Sequence, residues 1–205
     1  MAQTRDRLLA EGLRLFAERG FGAVRVGDIE EAVGLAPRRG AMYRHFDNKE
    51  MLLAAAVEAH LAAVADARSA FGRDAQEGSS SASAEEVGAF ILAEMDRQRQ
   101  ITQVLERDGT RLATLRDRFR AEVSDAGYRT MVEILRGWLE AAASGPTKVE
   151  ALDAVAVHLL GALINVRRST WTLGRSPLGL DDRALIDGWS IVCDGAVRAL
   201  GAATE

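Results

Sequence analysis

Apolar residues recur every three or four positions along most of the chain, which is the spacing of amphipathic α-helices. The pattern predicts a first helix over 4–19, a second over 26–33 and a third over 37–46. Gly34 separates the second helix from the third because glycine commonly ends a helix, and Pro37 suits the first turn of a new one. The amino-terminal part of the chain is therefore predicted to hold three helices.

Within these helices, the spacing also predicts which side chains are buried. The second helix is expected to bury Ile29 and Ala32 and to expose Glu30 and Glu31. In the third, Met42 and Phe46 lie four positions apart and can face inward together.

A fourth helix is predicted to begin at a cap formed by Asp47 or Asn48 and to reach residue 71. Residues 72–82, GRDAQEGSSSA, have the composition of a mobile loop. Ser83-x-x-Glu86 is a capping-box pattern that begins the next helix. The remaining helices are predicted over 83–98, 101–107, 111–143, 148–171 and 181–200. The fold class is thus all-α.

The last two predicted helices have more apolar surface than one core requires. Residues 154–166 are apolar nearly all round, yet too few to span a bilayer, which needs about 20. The final helix carries a core stripe that includes Trp189 and Val192, and a second stripe of mostly small residues. A helix without a polar face must be covered on both sides. We therefore expect a partner subunit against these helices, the alternative being that all these residues belong to one internal core.

Basic and aromatic residues are interleaved between Gly34 and Glu50. Arg38, Arg39, Arg44 and Lys49 lie in this stretch, with Tyr43 and Phe46 among them. A short helix with an apolar inner edge and an arginine-rich outer edge fits the major groove of DNA. A solvated charged surface is the other interpretation of such a cluster.

Composition narrows the classes of protein. Of the 205 residues, 48% are hydrophobic and 27% charged, as in ordinary globular proteins. The net charge is −4 and the first 60 residues contain equal numbers of acidic and basic groups, which argues against general nucleic-acid binding but leaves room for a local basic surface. The single cysteine excludes an internal disulfide, and no signal peptide is visible at the start. We expect a cytoplasmic protein without a membrane partner.

No catalytic or metal-binding pattern is found in the sequence. His45, His60 and His158 are isolated from other metal ligands. Cys193 has no histidine at a spacing that suggests a reactive pair, and it is interpreted as a small buried hydrophobic residue. We therefore expect no enzyme activity, metal or cofactor.

Three segments together resemble the amino-terminal domain of TetR-family transcriptional regulators. They are LRLFAERGF at 13–21, DIEEAVGL at 28–35, and YRHF followed by NKE within 43–50. The resemblance covers about residues 5–55, and beyond residue 60 only the helical layout agrees. It implies a helix-turn-helix DNA-binding domain over 1–50 and a larger helical ligand-binding and dimerisation domain over 51–205. Gly12 matches a small residue of the family, which implies close contact between helices.

The resemblance implies a bacterial homodimeric repressor that binds a palindromic operator and is released by a small apolar effector of unknown identity. Arg38 and Arg39 are the candidates for guanine contacts, and Ala41 for a thymine methyl group. Phosphate contacts, which set the register on the duplex, are predicted for Arg25, Tyr43, His45 and Lys49. Arg44 is a further candidate for contact with DNA. The segment from Gly34 to Tyr43 is two residues longer than in typical members, so the resemblance does not decide which arginine reads which base.

The resemblance also implies an effector site among the middle helices, for which the aromatic, methionine and histidine candidates are Phe90, Met95, Tyr128, Met131, Trp138 and His158. The same residue types could equally be ordinary core. The candidates for the four-helix dimer interface of the family are Leu163, Ala184, Gly188, Ile191 and Gly195. A rival from another class is a dimeric helical protein that binds small molecules but no specific DNA. Repressor and activator cannot be distinguished from the chain alone.

Overall fold

The computed structural model describes residues 2–36, 40–77, 82–142 and 149–202. Within them the chain forms eight α-helices and no strand, as the periodicity predicts. The helices are α1 (Ala2–Arg19), α2 (Val26–Ala32), α3 (Lys49–Glu77), α4 (Ala84–Asp108), α5 (Ala113–Phe119), α6 (Ala126–Ala141), α7 (Val149–Leu173) and α8 (Asp182–Gly201). Met42–Arg44 and Pro177–Gly179 form short 3₁₀ turns, and Arg120–Asp125 forms a π-helical segment between α5 and α6.

The chain divides into two compact units. Unit 1 comprises Met1–Asp66 and Gln98–Val123, and unit 2 comprises Ala67–Arg97 and Ser124–Glu205. The predicted domain boundary after residue 50 therefore falls inside unit 1, at the start of α3. Both α3 and α4 begin in one unit and end in the other. These two helices link the units through continuous backbone.

The core of unit 1 is built on α1. Leu8 and Phe16 are fully buried, and Phe16 packs against Phe21 with ring centroids 5.0 Å apart. A Cβ atom added at Gly12 would lie 2.6 Å from Cδ2 of the buried Leu52. The absence of a side chain at Gly12 is what lets α1 and α3 approach, which confirms the close helix contact implied by the resemblance.

The core of unit 2 lies between α4, α6, α7 and α8. Leu135, Ala156 and Cys193 are buried there. Trp189 donates a hydrogen bond from Nε1 to the carbonyl oxygen of Leu159, 2.8 Å away, which ties α8 to α7. The predicted burial of Cys193 is confirmed, and its side chain is 1% exposed.

Both predicted caps are present. The side chain of Asn48 accepts a hydrogen bond from the backbone N–H of Met51 at 2.7 Å, so Asn48 rather than Asp47 caps α3. At the start of α4, the backbone N–H of Glu86 donates to Ser83 Oγ at 3.2 Å. The backbone N–H of Ser83 donates to Glu86 Oε2 at 2.8 Å, which completes the predicted capping box.

The loop predicted over 72–82 is shorter than expected. Helix α3 continues to Glu77, and residues 78–81 lie outside the described part of the chain. The segment Arg73–Glu77, RDAQE, consists mostly of good helix formers that can extend an existing helix at little cost. The glycine and serine residues gave the wrong boundary because they lie mainly beyond that point.

The two helices predicted over 83–98 and 101–107 are one helix, α4. It ends at Asp108, as predicted. The backbone of Gly109 then comes so close to the carbonyl oxygen of Leu105 that a Cβ atom there would overlap it. The helix predicted over 111–143 is confirmed in outline, but the π-helical segment Arg120–Asp125 interrupts it. A π-helical segment shifts the register by about one residue, which a search for a constant helical period does not detect.

The last two helices bury one side and expose the other. On α7, Leu159, Leu160 and Leu163 are buried, whereas Val157 is 46% exposed. On α8, Val192 was predicted in the core stripe but is 57% exposed. The buried positions of α8 include Trp189, Cys193 and Leu200. Val192 lies three residues after Trp189 and one before Cys193, which places it at the edge of this buried face and not at its centre.

None of the helices in the described residues combines the length and the hydropathy that crossing a bilayer requires.

Candidate nucleic-acid interface

The turn after α2 is built around Gly34. Its φ of +77° lies in the left-handed region that favours glycine. The turn is closed by a hydrogen bond from the backbone N–H of Leu35 to the carbonyl oxygen of Glu30, at 2.8 Å. The predicted break between the second and third helices is therefore present.

The predicted third helix differs in the residues that the structure describes. Gly40 has a φ of +70°, so right-handed helical backbone cannot run through it. The chain after it forms only the 3₁₀ turn Met42–Arg44. Pro37, Arg38 and Arg39 lie outside the described residues, so the two predicted guanine-reading arginines have no observed position. The predicted inward direction of Met42 and Phe46 is confirmed, because both are buried.

The 3₁₀ turn is fastened to α2 by Glu30. Its Oε1 accepts a hydrogen bond from the backbone N–H of Met42 at 3.0 Å, and Glu30 is 1% exposed. The prediction that Glu30 faces solvent is therefore wrong, whereas Glu31 is exposed as predicted. Ala32 was predicted to be buried but is exposed, because the buried face of α2 follows Ile29 and Glu30. Glu30 lies four residues after Val26 and three before Val33, so helical spacing places it on their inward face. Because a glutamate is expected at the surface, its inward position on the helix was not predicted.

The 3₁₀ turn presents a group of predicted DNA-contacting side chains together. Tyr43 is 56% exposed and Arg44 is exposed, while Ala41 and His45 on either side are half-buried. A buried residue, Met42, holds the turn from inside, so its outer side chains project from fixed backbone. The arrangement offers a phenol, a guanidinium and an imidazole on one short segment.

Lys49 was predicted to contact a phosphate, but its ammonium group makes contacts within the protein. Its Nζ donates hydrogen bonds to the carbonyl oxygens of Phe21, at 2.7 Å, and Val24, at 2.9 Å. The ammonium also lies over the Phe21 ring, 4.5 Å from the centroid. Two of its three N–H groups are therefore used within the protein. Lys49 fastens the segment between α1 and α2 to the start of α3.

Arg25 follows directly on the segment that Lys49 binds, and its side chain is exposed. Its backbone N–H donates to Asp28 Oδ2 at 2.8 Å, which fixes the start of α2. The exposed guanidinium thus projects from an ordered helix start, as a phosphate-contacting residue requires.

Two contacts from the end of α4 hold the same segment. Asp108 Oδ2 accepts the backbone N–H of Phe21 at 2.9 Å, and the Arg111 guanidinium lies 5.4 Å from the centroid of the Phe21 ring. Phe21 therefore contacts two cations, Lys49 and Arg111. These roles of Asp108 and Arg111 could not be predicted from the sequence, since helical periodicity carries no signal for partners 87 residues apart.

The predicted effector-site residues do not all lie together. Met131 is buried in the core of unit 2, next to half-buried Tyr128 and Trp138. Trp138 donates from Nε1 to the carbonyl oxygen of Ala82 at 2.7 Å. Met95 is buried and Phe90 is half-buried on α4. His158, by contrast, is on the exposed side of α7.

The predicted dimer residues mostly lie on an exposed surface of α7 and α8. Ile191 is 70% exposed, and Ala184 and Gly188 are exposed. An added Cβ at Gly188 or half-buried Gly195 would meet no atom within 4 Å. Leu163 does not belong to this surface, because it is 2% exposed in the core of unit 2. It lies four residues after Leu159 and three after Leu160, which are both buried, so the helical period turns it inward.

The Cys193 thiol lies in surroundings that disfavour its ionised form. Burial, together with the nearby Asp194 carboxylate, raises the pKa of Cys193 to about 12, so its thiol stays protonated and unreactive near neutral pH. Among the residues that the structure describes, no three His, Cys, Asp or Glu side chains are grouped as metal ligands.

Comparisons with known proteins agree with this architecture. Residues 8–56 match the model of bacterial regulatory proteins of the TetR family. The uncharacterized HTH-type transcriptional regulator YerO of Bacillus subtilis is 36% identical over 61 residues. That stretch is 30% of this chain and spans 20% of the length of YerO.

Solved structures share the fold over nearly the whole chain. A TetR-like transcriptional regulator from Rhodococcus sp. RHA1 has a TM-score of 0.68 and 14% identity, covering 97% of both chains. A Saccharomonospora viridis protein, in its crystal structure with choline, has a TM-score of 0.60 and 21% identity, covering 97% of both chains. The chain therefore shares its fold with TetR-like regulators over nearly its whole length, and its residues 8–56 match the TetR family of bacterial regulatory proteins.

Proposed function

We propose that the protein is a homodimeric transcriptional repressor that binds a palindromic DNA operator and is released by a small effector. The observation that carries the proposal is the amino-terminal segment. Its family match spans residues 8–56, and its 3₁₀ turn projects Tyr43 and Arg44 from backbone held by Glu30. TetR-family regulators are non-enzymatic DNA-binding proteins, in line with the sequence-based expectation.

The proposed DNA contacts divide into two kinds. Arg38 and Arg39 read bases, each bidentate arginine–guanine pair giving about 1–3 kcal/mol of discrimination, and Ala41 meets a thymine methyl group. Arg25, Tyr43, Arg44 and His45 contact phosphates and set the register. The exposure of Arg25, Tyr43 and Arg44 supports this assignment. Lys49 has one N–H left for a phosphate, so we assign it mainly the fastening of the Phe21–Val24 segment.

The exposed surface of α7 and α8 supports the proposed dimer. Val157, Ile191 and Val192 are 46%, 70% and 57% exposed, and together they leave an apolar area uncovered on two adjacent helices. Gly161 and Gly188 add positions where another helix can approach closely, since a Cβ at either meets nothing within 4 Å. Two-fold symmetry of the dimer then calls for operator half-sites about one DNA turn, or a multiple of it, apart.

Helix α4 supports a response to an effector. Its first part belongs to unit 2, and its end in unit 1 binds Phe21 through Asp108. A molecule bound against α4 in unit 2 therefore acts on the helix whose last residue holds the segment between α1 and α2. The effector must bind the DNA-incompetent arrangement more tightly, because equal binding to both arrangements shifts nothing. The Saccharomonospora viridis protein with choline is an example of this fold with a small molecule.

The function is tested by selecting bound sequences from random duplex DNA at near-physiological salt. An enriched palindrome is the expected result. Arg39→Ala should then relax the base preference at one position of each half-site. Arg44→Ala should lower the affinity for all DNA sequences similarly and reduce the salt dependence of binding. Equal losses of both variants on operator and random DNA would contradict the assignment of base and phosphate contacts.

A selection without enrichment would favour the rival function, a dimeric helical protein that binds small molecules but no specific DNA. The observation in its favour is that the first 60 residues contain equal numbers of acidic and basic groups, so this part of the chain has no overall attraction for phosphate.

A further inference from the structure

Four side chains form a contact between α3 and α4 within unit 2. On α3 they are Arg68 and Phe71, three residues apart, and on α4 they are Phe90 and Glu94, four residues apart. Each pair therefore shares one helix face. The two phenylalanine rings stack with centroids 4.5 Å apart and an interplanar angle of 25°. This contact places an aromatic surface one helical turn from a buried carboxylate.

Glu94 is 7% exposed, which is unusual for an acidic residue. Its Oε1 accepts hydrogen bonds from Nε of Arg97, at 2.7 Å, and from Nη2 of the same guanidinium. Its Oε2 is buried and has no hydrogen-bond partner among the described residues. A buried carboxylate oxygen without a donor costs free energy, because the hydrogen bonds that it made to water are not replaced.

Arg68 supplies positive charge from the opposite helix. Burial lowers the pKa of its guanidinium and the Glu94 carboxylate raises it, so the two groups interact in partly desolvated surroundings. Its Nη2 lies 3.6 Å from the position that a Cβ of Gly127 would occupy, which brings the guanidinium next to α6 as well. The single carboxylate therefore has two arginines near it, Arg68 and Arg97.

We infer that Glu94 Oε2 accepts a hydrogen bond from a hydroxyl group of the effector, whose aromatic body lies against Phe71 and Phe90. The inference rests on the proposed effector response and names the chemistry of its ligand. A neutral hydroxyl fits better than an ammonium group, because the two arginines already balance the carboxylate and repel a further cation. The effector is thus amphipathic, not wholly apolar as the sequence implied.

Four benzene derivatives that differ in one substituent test the inference on the full-length protein. Benzyl alcohol carries a neutral donor, toluene carries none, benzylamine carries a cation and benzoate an anion. Binding is measured at millimolar concentrations by the rise in melting temperature and by titration calorimetry. Benzyl alcohol is expected to bind about tenfold more tightly than toluene, since a hydrogen bond to a charged acceptor is among the stronger ones.

Glu94→Gln is the matched variant. Its amide oxygen can still accept from Arg97, which turns the NH₂ group toward the position of Oε2 and leaves no acceptor for a hydroxyl. The preference for benzyl alcohol over toluene should therefore disappear. Glu85→Gln, an exposed position on the same helix, should retain the preference.

Equal binding of toluene and benzyl alcohol would overturn the inference, as would tighter binding of benzylamine or benzoate, or no binding of any probe. An unchanged preference in Glu94→Gln would overturn it as well. Operator binding is measured separately on the same variants. A protein that prefers benzyl alcohol through Glu94 but selects no operator would refute the regulator while leaving this site in place.

Discussion

At the scale of single residues, Lys49 shows how one side chain can join three segments. Its ammonium binds two carbonyl oxygens and the face of Phe21. We predict that Lys49→Met lowers the free energy of unfolding by roughly 1–3 kcal/mol, because two buried acceptors lose their charged donor. Urea unfolding measures this loss, and operator affinity should fall with it.

The control for Lys49 is Arg44→Met, which removes an exposed cation. Its stability should change by no more than about 0.5 kcal/mol, while its affinity for DNA falls. Loss of a single phosphate contact lowers by about one the slope of log DNA affinity against log salt concentration. If Lys49→Met has only this effect and keeps full stability, Lys49 is a phosphate ligand and not a fastening residue.

At the scale of secondary-structure elements, the 3₁₀ turn Met42–Arg44 depends on a carboxylate from α2. We predict that Glu30→Ala destabilises the protein by about 1–3 kcal/mol, because the buried N–H of Met42 loses its acceptor. Glu30→Gln keeps an acceptor and should restore most of the loss. Thermal unfolding and operator binding check both variants. Glu31→Ala is the exposed neighbour, and a loss equal to that of Glu30→Ala would refute the anchoring role.

The start of α4 gives a pH-dependent prediction. Hydrogen bonds from the backbone and the hydroxyl of Ser83 lower the pKa of Glu86 below its ordinary value of 4.5. The ionised carboxylate therefore stabilises the folded state above that value, and the stabilisation disappears as the pH falls through the lowered pKa. Glu86→Ala should melt roughly 2–4 °C below the parent at neutral pH, with the difference closing in acid.

Glu85→Ala controls for the prediction about α4, because Glu85 is also exposed in the first turn but makes no capping-box contact. Melting curves recorded from neutral to acidic pH compare the two. A difference for Glu86→Ala that persists in acid would show that its contribution does not come from the ionised carboxylate.

At the scale of the whole molecule, the exposed apolar surface of α7 and α8 is the proposed contact between two subunits. We predict that Ile191→Glu produces monomers, because a subunit interface would bury the introduced charge without a partner. Sedimentation velocity should show about half the mass of the parent, and operator affinity should drop because two half-sites are no longer bound together. Met51→Glu replaces another exposed apolar side chain, 51% exposed on α3, and should leave the mass unchanged. A dimeric Ile191→Glu would place the interface elsewhere.

Much of the fold could be predicted from the sequence because its determinants are local. The capping box at Ser83, the cap at Asn48 and the glycine turn at Gly34 each depend on residues within four positions. The helical period likewise gave α1, α2, α7 and α8 to within about two residues of their ends. The glycine and serine residues after Phe71 misplaced the end of α3. The π-helical segment was missed because a constant helical period does not detect a local shift of register.

The candidate sites were predicted less completely, and the reason is the distance of the partners along the chain. The period alone could have placed Leu163 in the core. It puts Val192 at the edge of the core face, and it could not show which side a second subunit would cover. Nothing near Asp108 in the sequence indicates that it binds the N–H of Phe21. A charged residue is expected at the surface, so the burial of Glu30 and Glu94 was visible only after folding.

By itself, the sequence determined the all-α class and the match of the amino-terminal segment to the TetR family, because these rest on short-range spacing and on a run of matching residues. Tertiary structure alone decided that Glu30 holds the 3₁₀ turn, that Lys49 fastens the Phe21–Val24 segment, and that Glu94 keeps an unpaired oxygen in the interior of unit 2. The physical reason is that a polar group acquires its role from the donors, acceptors and solvent that folding brings to it or removes, and these come from residues far away in the chain.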